Sequence, residues 1–129
     1  MVGDKISNTI IKLKNASTVG KATAEVALTN LNTNILKVLK AEKFITDFEA
    51  DKKSRTITVT LAYDESGESK ITDVKRVSKL SKRIYKGSDA IKPVKNGLGV
   101  AVVSTPAGVM TGREAREKKV GGEVMFEIW

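Results

Sequence analysis

The apolar residues of this 129-residue chain keep a helical or a two-residue period as far as Tyr63, and the pattern then stops at the polar, glycine-containing segment DESGES, residues 64–69. A break of that composition is a connection rather than a packed element. Beyond it the glycines gather, six of the ten lying after residue 96, among short apolar runs that read as strands. The expected fold is α+β in two small lobes. Residues 1–65 are expected to form an N-terminal α/β lobe of helix, strand, helix and hairpin. Residues 66–129 are expected to form a C-terminal, mostly β lobe with a short helix.

Within the first lobe, Ile6, Ile10 and Leu13 fall at helical spacing behind Asp4, a residue type suited to an N-cap. Ala22, Ala24, Val26 and Leu28 alternate with Thr23, Glu25 and Ala27 as in a strand, and Thr29 or Asn30 can cap a second helix with Leu31, Ile35, Val38 and Leu39 on one face. FITDFEA and RTITVTLAY, flanking the turn DKKS, read as a hairpin with Ile57, Val59, Leu61 and Tyr63 on one side. In the second lobe GVAVVST and GEVMFEIW read as strands around a helical TGREAREKK. Val124, Phe126 and Ile128 alternate there with Met125, Glu127 and Trp129, and a tryptophan in that pattern is expected to be held in the sheet.

Charge narrows the partners. The chain holds 23 basic and 15 acidic side chains, a formal charge of +8, which suits a protein that meets a polyanion: nucleic acid first, an anionic membrane second. Cysteine and histidine are both absent, which removes disulfides, thiolate metal sites, a cysteine nucleophile and the usual general base near neutral pH. Catalysis would rest on carboxylates, lysines and hydroxyls alone. No stretch approaches the roughly 20 apolar residues of a membrane span, and the N-terminal segment lacks a signal core. The expectation is a cytosolic protein.

The basic excess is uneven, three charges over residues 1–64 and five over 65–129. In residues 75–86 six of twelve side chains are basic and none is acidic, whereas a solvated face normally mixes signs. Strand spacing would divide Arg76, Lys82 and Lys86 from Lys75, Lys79 and Arg83 unless a loop intervenes at KLSK. Phosphates would neutralise such a run by counterion release, and Tyr85 within it either stacks on an unpaired base or packs as a strand tyrosine with a wet hydroxyl.

GLGVAVVSTPAGVMTGREAREKK, residues 97–119, places Ser104 and Thr105 at a strand mouth, before a turn whose corners suit Pro106 and Gly108. Short hydroxyls there either contact base edges and 2′-hydroxyls in the shallow groove of RNA or simply cap the turn. The G-x-G of Gly97 and Gly99 lacks the third glycine of a dinucleotide fingerprint, and no phosphate-binding P-loop sequence occurs. Thr111 suits a helix N-cap. Glu114, Glu117 and Glu123 read as solvated or paired with Arg113, Arg116 or Lys118, the rival reading being a phosphate-handling enzyme at the Thr111 helix end. Glu123, an acid inside a basic surface, either accepts from a base amino group, orients a lysine, or makes a simple salt bridge.

GLGVAVVSTPAGVMTGREAR followed by GGEVMFEIW resembles the C-terminal signature of the small-subunit ribosomal protein S8 family, also called uS8. DKISNTIIKLKNA, ILKVLKAEKFI and RIYK resemble that family's other segments in the same order, so the resemblance spans the chain. It implies a noncatalytic structural constituent of the small ribosomal subunit, cytoplasmic, without cofactor, membrane or small-molecule substrate. It further implies a primary rRNA-binding protein that recognises a central-domain stem of small-subunit rRNA, supports assembly and neighbours proteins such as ribosomal protein S5. Carried over position by position, the main RNA surface is Tyr85, Ser104, Thr105, Gly122 and Glu123, supported by Lys82, Arg83 and Lys86. Lys12, Lys14 and Asn15 of the first helix resemble a second, backbone-directed contact. The chain departs from the family at Pro106, where a serine is usual, at Leu80-Ser81-Lys82, where Pro-Gly-Leu is common, and at Lys5, where proline is usual.

Overall fold

The computed structural model describes residues 5–79 and 81–129. Asp4, expected as an N-cap, and Leu80 lie outside the described residues. The chain forms two compact units, one ending at Thr72 and the other beginning at Asp73, each built on its own antiparallel sheet.

In the first unit, helix α1 (Lys5–Thr18) buries Ile6, Ile10 and Leu13, the stripe read from the sequence. Strand β1 (Thr23–Ala27) follows, and then α2 (Asn30–Ala41), whose N-cap Thr29 accepts a hydrogen bond from the Asn32 N–H at 3.0 Å. The hairpin is β2 (Ile45–Asp51) and β3 (Thr56–Leu61), and the sheet order is β1–β3–β2. The central strand carries the fully buried Ile57 and Val59, covered as α1 packs on β1 and α2 on β2. A buried polar clasp ties these layers together. Thr9 Oγ1 donates to Asn32 Oδ1 at 2.9 Å, and Asn32 Nδ2 donates to the Ala27 carbonyl at 2.8 Å. Tyr63 falls beyond β3, where its hydroxyl donates to the Lys21 carbonyl.

The second unit has strands β4 (Val74–Arg76), β5 (Tyr85–Lys86), β6 (Val100–Thr105), β7 (Gly108–Thr111) and β8 (Gly122–Ile128), with helix α3 (Gly112–Glu117) between the last two. The order is β4–β8–β6–β7, and β5 joins β8 as well. Because β6 occupies the opposite edge of β8, β4 and β5 share one edge, β4 against Phe126–Ile128 and β5 against Gly122–Glu123. The basic run, residues 75–86, takes in the end of β4, the connection and β5. Trp129 is held as its pattern implied, exchanging backbone hydrogen bonds with Asp73 at 3.0 and 3.1 Å, and Lys95 Nζ lies 4.6 Å from the centre of its ring.

The alternation expected in β8 is corrected. The register with β6 shifts between Val102 and Val103, so Val124 opposes Val103 and Phe126 opposes Val102, leaving Met125 as an extra residue. Val124 and Phe126 therefore lie on opposite faces. Val124 joins Ile91, Val94, Ala101, Val103, Met110 and Ala115 in one cluster, which α3 covers through Ala115. The Met125 carbonyl accepts from the Val77 N–H at 3.1 Å and from Arg76 Nη1. The same shift turns Glu123 onto the face of Phe126, opposite Ser104.

Candidate functional site

At the glycine end of β8, Glu123 stands between two partners: Tyr85 opposes it from β5 and Ser104 from β6. Directly opposed residues of antiparallel strands project to the same side, so Tyr85, Glu123 and Ser104 form one row across three strands. Tyr85 is 70% exposed, so it does not pack as a core tyrosine. The row exists because glycines precede it. A Cβ on Gly122 would stand 2.2 Å from the Ser104 carbonyl oxygen, and one on Gly121 would stand 2.6 Å from the Lys86 carbonyl oxygen. Gly122 therefore admits the close backbone approach of β6, opposite Lys86 on its other side.

The basic run turns back on itself. Lys79 and Lys82 exchange backbone hydrogen bonds at 2.9 and 3.1 Å, the loop at KLSK on which the sequence reading was conditional. Ser78, fully buried, organises it: its hydroxyl accepts from the Ile84 N–H at 2.8 Å and donates to the Ile84 carbonyl at 3.2 Å. That carbonyl also accepts from the Val124 N–H at 3.0 Å, so the loop is clamped to the start of β8. Lys79, Lys82, Arg83 and Lys86 are left at the surface. Arg76 is half-buried and spent on the Met125 carbonyl. Arg83 Nη1 lies 3.1 Å from Glu123 Oε2, with the Glu123 side chain only 15% exposed and that of Arg83 44% exposed.

Ser104 and Thr105 diverge. Ser104, half-buried, points with the row, and its hydroxyl has no hydrogen bond among the described residues. Successive strand residues face opposite ways, and Thr105 belongs to the turn: its Oγ1 accepts from the Ala107 N–H at 3.1 Å and donates to the Gly108 carbonyl at 2.8 Å. Pro106 lies in that exposed turn between Thr105 and Gly108, which pair across it.

In the first unit Lys12 and Asn15, on one face of α1, line a shallow groove of about 570 Å³ against β1 with Lys21, Thr23 and Glu25. Lys14, two residues from Lys12 and nearly opposite on the helix, is not among its lining residues. The sequence grouped these three; the structure brings two of them together.

Sequence reading missed Ser78, β5 and β7. A lone serine between Val77 and Lys79 carries no local sign that its hydroxyl holds a backbone segment six residues away, and strands as short as β5 show no period. The acids considered for catalysis are used structurally. Glu114 completes a capping box with Thr111, whose Oγ1 accepts from the Glu114 N–H at 3.1 Å, and Glu117 lies 3.4 Å from Arg113 Nε. No group of three or more potential metal-ligating side chains occurs among the described residues, and no described helix is long and apolar enough to cross a membrane.

The sequence profile of the family described as ribosomal protein S8 matches residues 4–129. The chain is 44% identical over 131 residues to small ribosomal subunit protein uS8 of Helicobacter pylori (strain Shi470), covering 100% of both chains. It is 44% identical over 132 residues to the Helicobacter acinonychis protein of the same name, again over the full length of both. Against uS8 of Lactobacillus delbrueckii subsp. bulgaricus it is 41% identical over 128 residues, covering 98% of this chain and 97% of the relative. These matches place it among the structural, non-enzymatic proteins of the small ribosomal subunit, working in the cytoplasm within a ribonucleoprotein of rRNA and other ribosomal proteins. The chain belongs to the ribosomal protein S8 family.

Proposed function

We propose that this chain is a primary rRNA-binding protein that grips a stem in the central domain of small-subunit rRNA and supports subunit assembly. The observation that carries this reading is the row Tyr85–Glu123–Ser104 beside the clamped basic loop. The row offers an exposed ring for stacking, a carboxylate acceptor and an uncommitted hydroxyl. Lys82, Arg83 and Lys86 stand next to it at the surface. Phosphate contacts supply affinity without sequence information, and base and sugar contacts supply discrimination. The two tasks thus fall to different residues of the second unit. Gly122 acts by letting β6 approach, and Thr105 by holding the turn that ends it.

Lys12 and Asn15 in the α1–β1 groove form a second, backbone-directed contact in this reading, with Lys14 beside them in sequence on another face. A neighbouring ribosomal protein such as S5 completes the partner set. The test is a titration against a central-domain rRNA stem and a scrambled stem of equal length across a salt series. A margin for the cognate stem that survives rising salt supports specific recognition. Equal binding that collapses with salt for both would leave only the positive charge explained.

A further inference from the structure

We infer that the Arg83–Glu123 pair is the discriminating element of this surface: Glu123 withholds Arg83 from phosphates of the wrong RNA and releases its full value only to a ligand that satisfies both partners. The inference rests on the rRNA-binding reading above.

Glu123 is the acid in the row, at the centre of the surface that would meet a polyanion. Its side chain is mostly shielded from water, and its Oε2 accepts from Arg83 Nη1 at 3.1 Å. A guanidinium presents five N–H donors in a planar fork, and a carboxylate accepts at several lone-pair positions. The bond between them engages one guanidinium N–H and one carboxylate oxygen, while their charges cancel. A ligand that presents a base amino group to the carboxylate and an acceptor to the guanidinium adds bonds without breaking the pair. A ligand that brings only phosphates must pull Arg83 away and leave a shielded carboxylate facing negative charge, or else forgo Arg83 altogether. Either course weakens the wrong complex, and unpaired charge set against a wrong partner is how specificity is built by exclusion. Nearby Lys82 and Lys86, which have no such counter-ion among the described ion pairs, bind any phosphate alike. Tyr85 and Ser104 flank Glu123 in the row and would set the base that reaches it.

Glu123→Gln keeps the shape and removes the charge. Its expected result is tighter binding to the scrambled stem, with a salt slope steeper by about one counterion as Arg83 becomes available to phosphate. Cognate binding weakens in the same variant, and the ratio of the two affinities falls by about tenfold or more. The double variant Arg83→Gln with Glu123→Gln reverses the gain on the scrambled stem and its added slope without restoring discrimination. A thermal melt and circular dichroism on each variant separate surface effects from loss of fold. Equal weakening on both stems, no change on either, or a loss on the cognate stem alone would each overturn the inference. If the unmodified protein fails to prefer the cognate stem at all, the rRNA-binding reading itself fails. If it discriminates but Glu123→Gln leaves the scrambled stem unaffected, only the role of the pair is lost.

Discussion

The buried hydroxyl of Ser78 both accepts from the Ile84 N–H at 2.8 Å and donates to the Ile84 carbonyl at 3.2 Å, so one side chain closes the basic loop onto the sheet. Ser78→Ala leaves the Ile84 N–H without that partner in a part-buried place. The expected loss is about 1–3 kcal/mol, the usual consequence of stranding a buried polar group. Urea unfolding reads the stability, and RNA titration should show weaker binding to every stem, because Lys82 and Arg83 ride on the loop. Unchanged stability would mean that the loop is held by its lysine backbone bonds alone.

Gly122 and Gly108 separate two reasons for glycine. At Gly122 an added Cβ meets the Ser104 carbonyl oxygen at 2.2 Å and the Thr105 Cα at 3.1 Å, both backbone, so β6 and β8 must part. Gly122→Ala is expected to cost about 2 kcal/mol or more by forced repacking. Gly108 has open space around its missing side chain but a φ of +118°, so Gly108→Ala suffers from backbone conformation alone. Its expected cost is about 1 kcal/mol. Denaturant midpoints of the two variants test the order; a smaller loss at Gly122 would contradict it.

Ser17 is the reverse of Ser78. It is 4% exposed in α1, and its Oγ has no hydrogen-bond partner among the described residues. Ser17→Ala removes an unsatisfied buried hydroxyl and substitutes a better helix former. A gain of up to about 1 kcal/mol is expected in chemical unfolding. A loss would show that the hydroxyl does find a partner in solution.

The surface carboxylates of Asp64, Asp47 and Asp51 lie below their ordinary range. Asp64 is lowered first by the Ser66 hydroxyl and then by the Glu68 N–H, Asp47 first by the Lys40 ammonium, and Asp51 first by the Lys53 N–H. A carboxyl that is more acidic in the folded state stabilises the fold above its unfolded pKa, about 3.9, and loses that contribution as pH falls through the folded value. Asp64→Ala should therefore be less stable than the parent at pH 7, with the gap narrowing below about pH 4. Unfolding curves at both ends of that range give the comparison, and a gap that stays constant would remove the ionised carboxylate from the account.

What the sequence disclosed follows from how far each signal reaches. Ile6, Ile10 and Leu13, or Ile57 and Val59, declare their faces through a period repeated within one element, and the structure buries them accordingly. Ser104 and Thr105 at the end of a strand were equally legible, because Val100 to Val103 leads straight into them. The bulge at Met125 was not, because a register shift is a relation between β8 and β6 and leaves no mark in either strand alone. Yet that shift decides that Glu123 faces with Ser104. Residue types at the site could thus be read locally, while their assembly into a row depended on partners distant in sequence.

Ser104 and Thr105 are adjacent hydroxyls with opposite duties, and substitution should part them. Thr105 Oγ1 both accepts and donates within its turn, so Thr105→Ala should lower stability by about 0.5–1.5 kcal/mol. Its ratio of cognate to scrambled RNA affinity should stay close to that of the parent. Ser104 Oγ is uncommitted among the described residues and lies in the row with Glu123. Ser104→Ala should leave the melting temperature nearly unchanged while reducing the cognate preference by about 1 kcal/mol, the scale of one neutral hydrogen bond. Lys82→Gln supplies the contrast: it should weaken cognate and scrambled stems alike and reduce the salt slope by about one. If Thr105→Ala instead erased discrimination with stability intact, the turn would be the reading edge, and Ser104 only its support.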